Sequence, residues 1–144
     1  MGTPVRATLA FGYDLGNMGG SPLFEAPWWD DDSGEEAPVQ VFDALYAAIP
    51  EATGERNQDE RQAAAVKHFG VDIEYSGTDS FEGWLLVAVG SDQEVRGAGV
   101  LALSLHDLSN PPREWVERLA AAVAVLGLTP EPAEPQWLVF PTLG

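Results

Sequence analysis

The chain has 144 residues, with 23 Asp and Glu against seven Lys and Arg, a formal charge of −16 and no cysteine. That balance argues against direct binding to nucleic-acid phosphate, which needs Lys and Arg, and the missing thiol excludes disulfides and thiolate chemistry. Hydrophobic residues make up 45%, too many for a disordered acidic chain, and the length suits one domain with its own core.

Val5, Ala7, Leu9, Phe11 and Tyr13 alternate with Arg6, Thr8 and Ala10. This period of two predicts a first strand with one apolar face. Residues 14–38 read as a long loop, because Gly16-Asn17-Met18-Gly19-Gly20 and the prolines after it cannot sustain a regular element. Ordered loops of that length are often functional. Val41, Phe42, Leu45 and Ile49 then fall on one helical stripe that Pro50 ends. A second helix starts at an Asn57 cap with Glu60 three residues on, carries Lys67 and His68 in its last turn, and stops at Gly70. Its buried stripe is expected at Ala63, Ala65, Val66 and Phe69.

Val71, Ile73 and Tyr75 alternate with Asp72, Glu74 and Ser76, which predicts a strand with one wet, acidic face. Trp84–Val89 is apolar on both faces, as in a central covered strand. Gly90-Ser91-Asp92 reads as a turn, with Val95–Leu105 returning as the partner strand and Gly97-Ala98-Gly99 bending it. Asn110, Pro111 and Pro112 suit the start of a last helix. Its core stripe is Trp115, Leu119, Ala122, Val123 and Leu126, with Glu114 and Arg118 spaced for an ion pair and Gly127 at its end. After a proline-rich connector at 129–135, Trp137–Phe140 reads as a short final strand. The order predicts a single α+β domain over 1–144: a mostly antiparallel sheet of about five strands with three helices packed on one face. Met1–Arg6 has no charged region followed by an apolar run, and the longest apolar stretch, Leu119–Leu128, is half of a membrane span. A soluble cytoplasmic protein without a membrane partner is the expectation.

One segment stands out. Phe24–Glu36 holds two adjacent tryptophans and six carboxylates with no base. Adjacent aspartates repel, and loop tryptophans expose apolar area. Both costs fall when a partner offers a basic rim around an apolar pocket, so Trp28, Trp29, Asp30, Asp31, Asp32, Glu35 and Glu36 are the candidate partner-binding residues. The opposing reading folds the tryptophans back as a lid over the sheet. The two coexist if one indole points in and the other out. Asp30-Asp31-Asp32 lacks the alternate spacing of a Ca²⁺ loop, so no metal and no cofactor is assigned. His68 suits a helix C-terminus. His106 beside Asp107 suits a turn or cap better than a general base, since no nucleophile accompanies it. Gly12, Gly16, Gly19 and Gly20 follow a strand but match neither phosphate-loop spacing. Asp72, Glu74, Asp79, Glu82, Asp92 and Glu94 form a second base-free stretch, a candidate negative patch on the sheet.

Phe11-Gly12-Tyr13-Asp14-Leu15-Gly16, read with Leu126-Gly127-Leu128-Thr129-Pro130 and Pro135-Gln136-Trp137-Leu138, resembles a group of small acidic proteins of actinobacterial phages and their hosts. The resemblance covers both ends of the chain and is weaker in the middle. It implies a phage or actinobacterial accessory protein and carries no catalytic residue. The sequence thus points to a non-enzymatic acidic module that engages a basic host protein, as nucleic-acid mimics and inhibitors do. Three other readings stay open: a carboxylate- and metal-dependent hydrolase, a virion component, and acidity as adaptation to a salty solvent. Neither the partner's identity nor an oligomeric state is legible.

Overall fold

The computed structural model describes residues 5–17, 21–50, 57–78, 81–96, 99–130 and 132–143. They form an α+β domain in which helices cover one face of a five-stranded antiparallel sheet. The strands are β1 (Val5–Asn17), β2 (Val71–Thr78), β3 (Phe81–Ala88), β4 (Gln93–Arg96) and β5 (Gln136–Leu143). The helices are α1 (Ala37–Ala47), α2 (Gln58–Phe69), the short α3 (Leu105–Ser109) and α4 (Arg113–Leu126).

β1 is the axis. It continues past the predicted loop boundary, through a β-bulge where Asp14 faces Leu85 but Asn17 faces Gly83. Gly16 takes φ 80° there, and its N–H donates to the Asp14 carboxylate at 2.8 Å. So Gly16 bends a strand rather than opening a loop. Along one edge β1 pairs with β5 from Val5 to Gly12. Along the other it pairs with β4 over Arg6–Leu9 and with β3 from Gly12 onward.

This second edge corrects the hairpin expected at Gly90-Ser91-Asp92. β3 and β4 run in the same direction against β1, so β4 continues β3. Gly12 faces Val87 and Leu9 faces Gln93. Three steps on β1 thus answer six on the opposing chain, and the excess is ejected at Val89–Asp92. Ser91, 1% exposed, plugs the break. Its hydroxyl donates to the Ala88 carbonyl at 2.7 Å and accepts from the Phe11 N–H at 3.0 Å. The hydroxyl replaces the ladder bonds that the ejected residues would have made. The return strand to Leu105 does not form: residues 99–104 are irregular and α3 begins at Leu105. The bend expected at Gly97 and Ala98 lies outside the described residues.

Main-chain caps match the sequence. The Asn57 side chain accepts from the Glu60 N–H at 2.8 Å, and left-handed Gly70 and Gly127 end α2 and α4. Asn110 does not cap α4, which starts after Pro112. Its amide instead donates to the His106 carbonyl at 2.8 Å and closes α3. The Glu114–Arg118 ion pair forms. In α2, Ala65 and Phe69 are buried and Val66 is partly buried against the main core, but Ala63 is exposed.

The main core joins Phe11, Tyr13, Leu15, Leu86 and Ala88 of the sheet to Val41, Phe42, Leu45, Leu119 and Leu126 of α1 and α4. Phe11, Trp115 and Trp137 form one aromatic cluster, with Phe11–Trp137 centroids 5.2 Å apart. The Trp137 indole donates to the Leu108 carbonyl at 2.9 Å and so ties α3 to β5. A second, smaller core of Ala10, Leu85, Val87 and Phe140 lies on the other face. The sheet coils to cover it: β2 and β5, at opposite ends of the strand order, approach each other. Gly12 permits that coil. A Cβ there would sit 1.9 Å from the Leu86 carbonyl oxygen.

Candidate functional site

The acidic tryptophan segment is ordered, and one residue of α1 orders it. Gln40 is 7% exposed, and its Oε1 accepts from the Asp30 N–H at 2.8 Å. Its Nε2 donates to the carbonyls of Asp30 at 3.1 Å and Glu35 at 3.2 Å and to the Ser33 hydroxyl at 3.3 Å. A buried amide that serves both donors and acceptors of one loop holds that loop against the helix. The Asp30 carboxylate also accepts from the Asp32 N–H at 2.9 Å, an Asx-type turn.

The two tryptophans have different jobs. Trp28 points in, packs on the main core, and donates its indole N–H to the Leu126 carbonyl at 2.8 Å. That carbonyl is one of the orphan acceptors at the end of α4. Trp28 is therefore an anchor of the loop. Trp29 is partly buried and reaches the groove side, where its indole N–H donates to the Asp31 carboxylate at 2.5 Å.

Trp29 lines a groove of about 590 Å³ with Phe24, Tyr75 and Trp84. Glu35, Glu36, Ala37 and Pro38 complete the wall, and among the described residues no basic one lines it. Phe24 packs against Trp29 at a tilt of 57° with centroids 4.9 Å apart, and Tyr75 meets Trp84 edge-on at 5.0 Å. The second pair is a cross-strand pair of the β2–β3 ladder, directly opposed in register. Phe24 and Tyr75 stay 37% and 41% exposed. Of the residues singled out in the sequence, the groove brings together Trp29, Glu35 and Glu36. Asp30 and Asp31 are engaged within the loop, and Asp32 is exposed outside the lining. Sequence reasoning missed Phe24, Pro38, Tyr75 and Trp84. The one available signal was Tyr75, an aromatic placed last on an alternating strand.

Four basic side chains are already engaged within the molecule. Arg6 pairs with Glu94 at 3.2 Å, Arg61 with Asp43 at 2.9 Å, Arg113 with Glu117 at 3.5 Å, and Arg118 with Glu114. Such pairs lower the cationic charge free to offset the surface acids. Among the described residues no group of three or more His, Asp or Glu is arranged to hold a metal ion, and no helix is long and apolar enough to cross a membrane. His106 lies in exposed α3 and His68 meets Phe69 edge-on at 4.8 Å.

The acidic face of β2 is not simply solvated. Asp72 and Glu74 are half-buried and face Val87 and Leu85 across the ladder. Burial raises both carboxyls above their ordinary values of 3.8 and 4.5. The neighbouring Asp92 pushes in the same direction, while the Ile73 N–H partly offsets the effect at Asp72. Asp79 and Glu82, expected in the same patch, lie outside the described residues and side chains. Folded carboxyls with raised pKa hold protons that the unfolded chain releases. They therefore lower stability above the raised values, and stability returns as pH falls through them toward 3.8 and 4.5. Asp72→Asn/Glu74→Gln is expected to raise stability at pH 7 by up to about 1 kcal/mol, since both groups still reach water. That is about 4 °C in Tm for a chain of this size. Thermal unfolding of both proteins at pH 4 and pH 7 checks it: the gain must shrink at the lower pH.

No protein-family model, no curated protein and no solved structure matches this chain.

Proposed function

We propose that this protein is a non-enzymatic binding module that takes a basic segment of a partner protein into the aromatic groove of Phe24, Trp29, Tyr75 and Trp84. One observation carries the reading: four aromatic rings, two of them exposed, line one depression with Glu35 and Glu36 and, among the described residues, no base. Guanidinium and ammonium groups stack on aromatic faces, and carboxylates at the rim pair with them. The −16 charge of the whole chain draws such partners in. The phage resemblance makes that partner a basic protein of the bacterial host, met in the cytoplasm.

Calorimetric titration with an arginine-rich decapeptide tests this. Binding is expected to weaken as salt rises, and to drop about tenfold in Tyr75→Ala, which changes no charge. Glu35→Gln/Glu36→Gln should lose a similar amount. Asp59→Asn/Glu60→Gln, on the exposed start of α2, removes the same charge elsewhere and should cost less than about twofold. Equal losses in the groove and α2 variants, or full affinity in Tyr75→Ala, overturn the reading.

A further inference from the structure

A second depression adjoins the groove. It has a volume of about 1140 Å³, and its walls include Asp14, Glu25, Thr129, Pro130 and Pro132. Phe24 lines both depressions. It stands on a rigid turn, the 3-10 segment Pro22–Glu25. Leu23 beneath it is fully buried, the Ser21 hydroxyl accepts from the Leu23 N–H at 3.1 Å, and the Ala26 N–H donates to the Leu23 carbonyl at 3.2 Å. The backbone under Phe24 is thus held by hydrogen bonds, and its ring, packed against Trp29, borders both troughs. Among the described residues each trough carries two carboxylates, Glu35 and Glu36 in one, Asp14 and Glu25 in the other, and no basic residue lines either.

We infer that the two troughs form one bipartite site for an extended segment of a partner protein with two basic positions, its chain crossing over Phe24. This rests on the groove reading proposed above and adds the shape of the ligand. Extended backbone suits the site for three reasons. A single residue separates the troughs, so the crossing is short. Each extended residue advances about 3.3 Å, so ~2–5 residues can bridge one ring. And the second trough is lined by Pro22, Pro130 and Pro132, whose apolar surface an extended chain can lie along. Binding at the first trough makes binding at the second intramolecular, so the two contributions multiply through effective concentration.

The test uses three peptides of equal length: Arg-Arg at the N-terminal end only, at the C-terminal end only, and at both ends, with Gly-Ser spacers of about two to five residues. The two-cluster peptide at its best spacer is expected to bind at least about tenfold more tightly than either single-cluster peptide. Glu25→Gln should cut that advantage about threefold or more, and Phe24→Ala should weaken the two-cluster peptide most. A two-cluster peptide no tighter than the single-cluster ones, or an advantage that Glu25→Gln leaves intact, overturns the bipartite site while the first groove stands. Single-cluster binding that ignores Tyr75→Ala overturns the groove itself.

Discussion

Gly12→Ala is expected to destabilise the fold by more than about 4 kcal/mol, at the extreme of what single substitutions do. In a chain of this length that is a drop of about 15 °C in Tm, or a failure to accumulate folded. The new methyl would stand 1.9 Å from the Leu86 carbonyl oxygen and 2.8 Å from both the Leu86 carbonyl carbon and the Val87 Cα. All three are backbone atoms, so no side-chain rotation relieves the overlap. β3 would have to withdraw from β1. That would pull on β4, which continues the same strand, and on Ser91, whose hydroxyl joins Ala88 to Phe11 across the break. Gly12 also pairs with Gln136 on the other edge, so β1 cannot shift away instead. Gly34→Ala is the control. It meets no atom within 4 Å and suffers only from its φ of +74°, which costs about 1–2 kcal/mol. Chemical denaturation of the two variants separates them. A Gly12→Ala protein as stable as Gly34→Ala would mean the two strands can part locally, contrary to the coiled packing described.

Gln40→Ala is expected to cost about 2–3 kcal/mol and to weaken the groove for the decapeptide by about tenfold or more. A typical hydrogen bond contributes ~1 kcal/mol, and leaving its buried partner unpaired costs more. Here one amide serves the Asp30 N–H, the Asp30 and Glu35 carbonyls and the Ser33 hydroxyl. Glu35 and Glu36 are placed by that loop, so their carboxylates lose their position as the loop loosens. Gln40→Glu sharpens the test. It keeps the size and the acceptor for Asp30, but an ionised carboxylate has no proton to give and would face two carbonyl oxygens. Its stability should fall at least as far at pH 7 and recover in part as pH drops and the new carboxyl protonates. Equal stability of Gln40→Ala and the parent protein, measured by thermal and urea unfolding, would remove Gln40 as the organiser of the loop.

Local signals were legible wherever the answer depends on a few neighbouring residues. The Asn57 cap, the left-handed Gly70 and Gly127, the α4 stripe of Leu119, Ala122 and Leu126, and the alternation of β1 are all short-range features. The misreadings share one cause. Gly90-Ser91-Asp92 has turn chemistry, but a turn and an ejected bulge use the same residues. Only pairing to β1, some 80 positions away in the chain, tells them apart. The acidic face of β2 was read as wet because alternation reports two faces without saying what covers each. The coil of the sheet half-buries Asp72 and Glu74.

Composition and local pattern alone determined the excess of negative charge, the α+β class with its helix ends, and the loop where aromatic and acidic residues meet. These follow from residue identity and from spacings of two, three or four. The tertiary structure alone decided that the Trp28 indole reaches the Leu126 carbonyl while Trp29, also packed on the main core, lines the groove with Tyr75 and Trp84. Both indoles have the same chemistry and adjacent positions, and what separates them is which neighbour has an unpaired carbonyl within reach. The groove too belongs to the fold, because Phe24 and Trp29 meet Tyr75 and Trp84 only after β2 and β3 have paired in register.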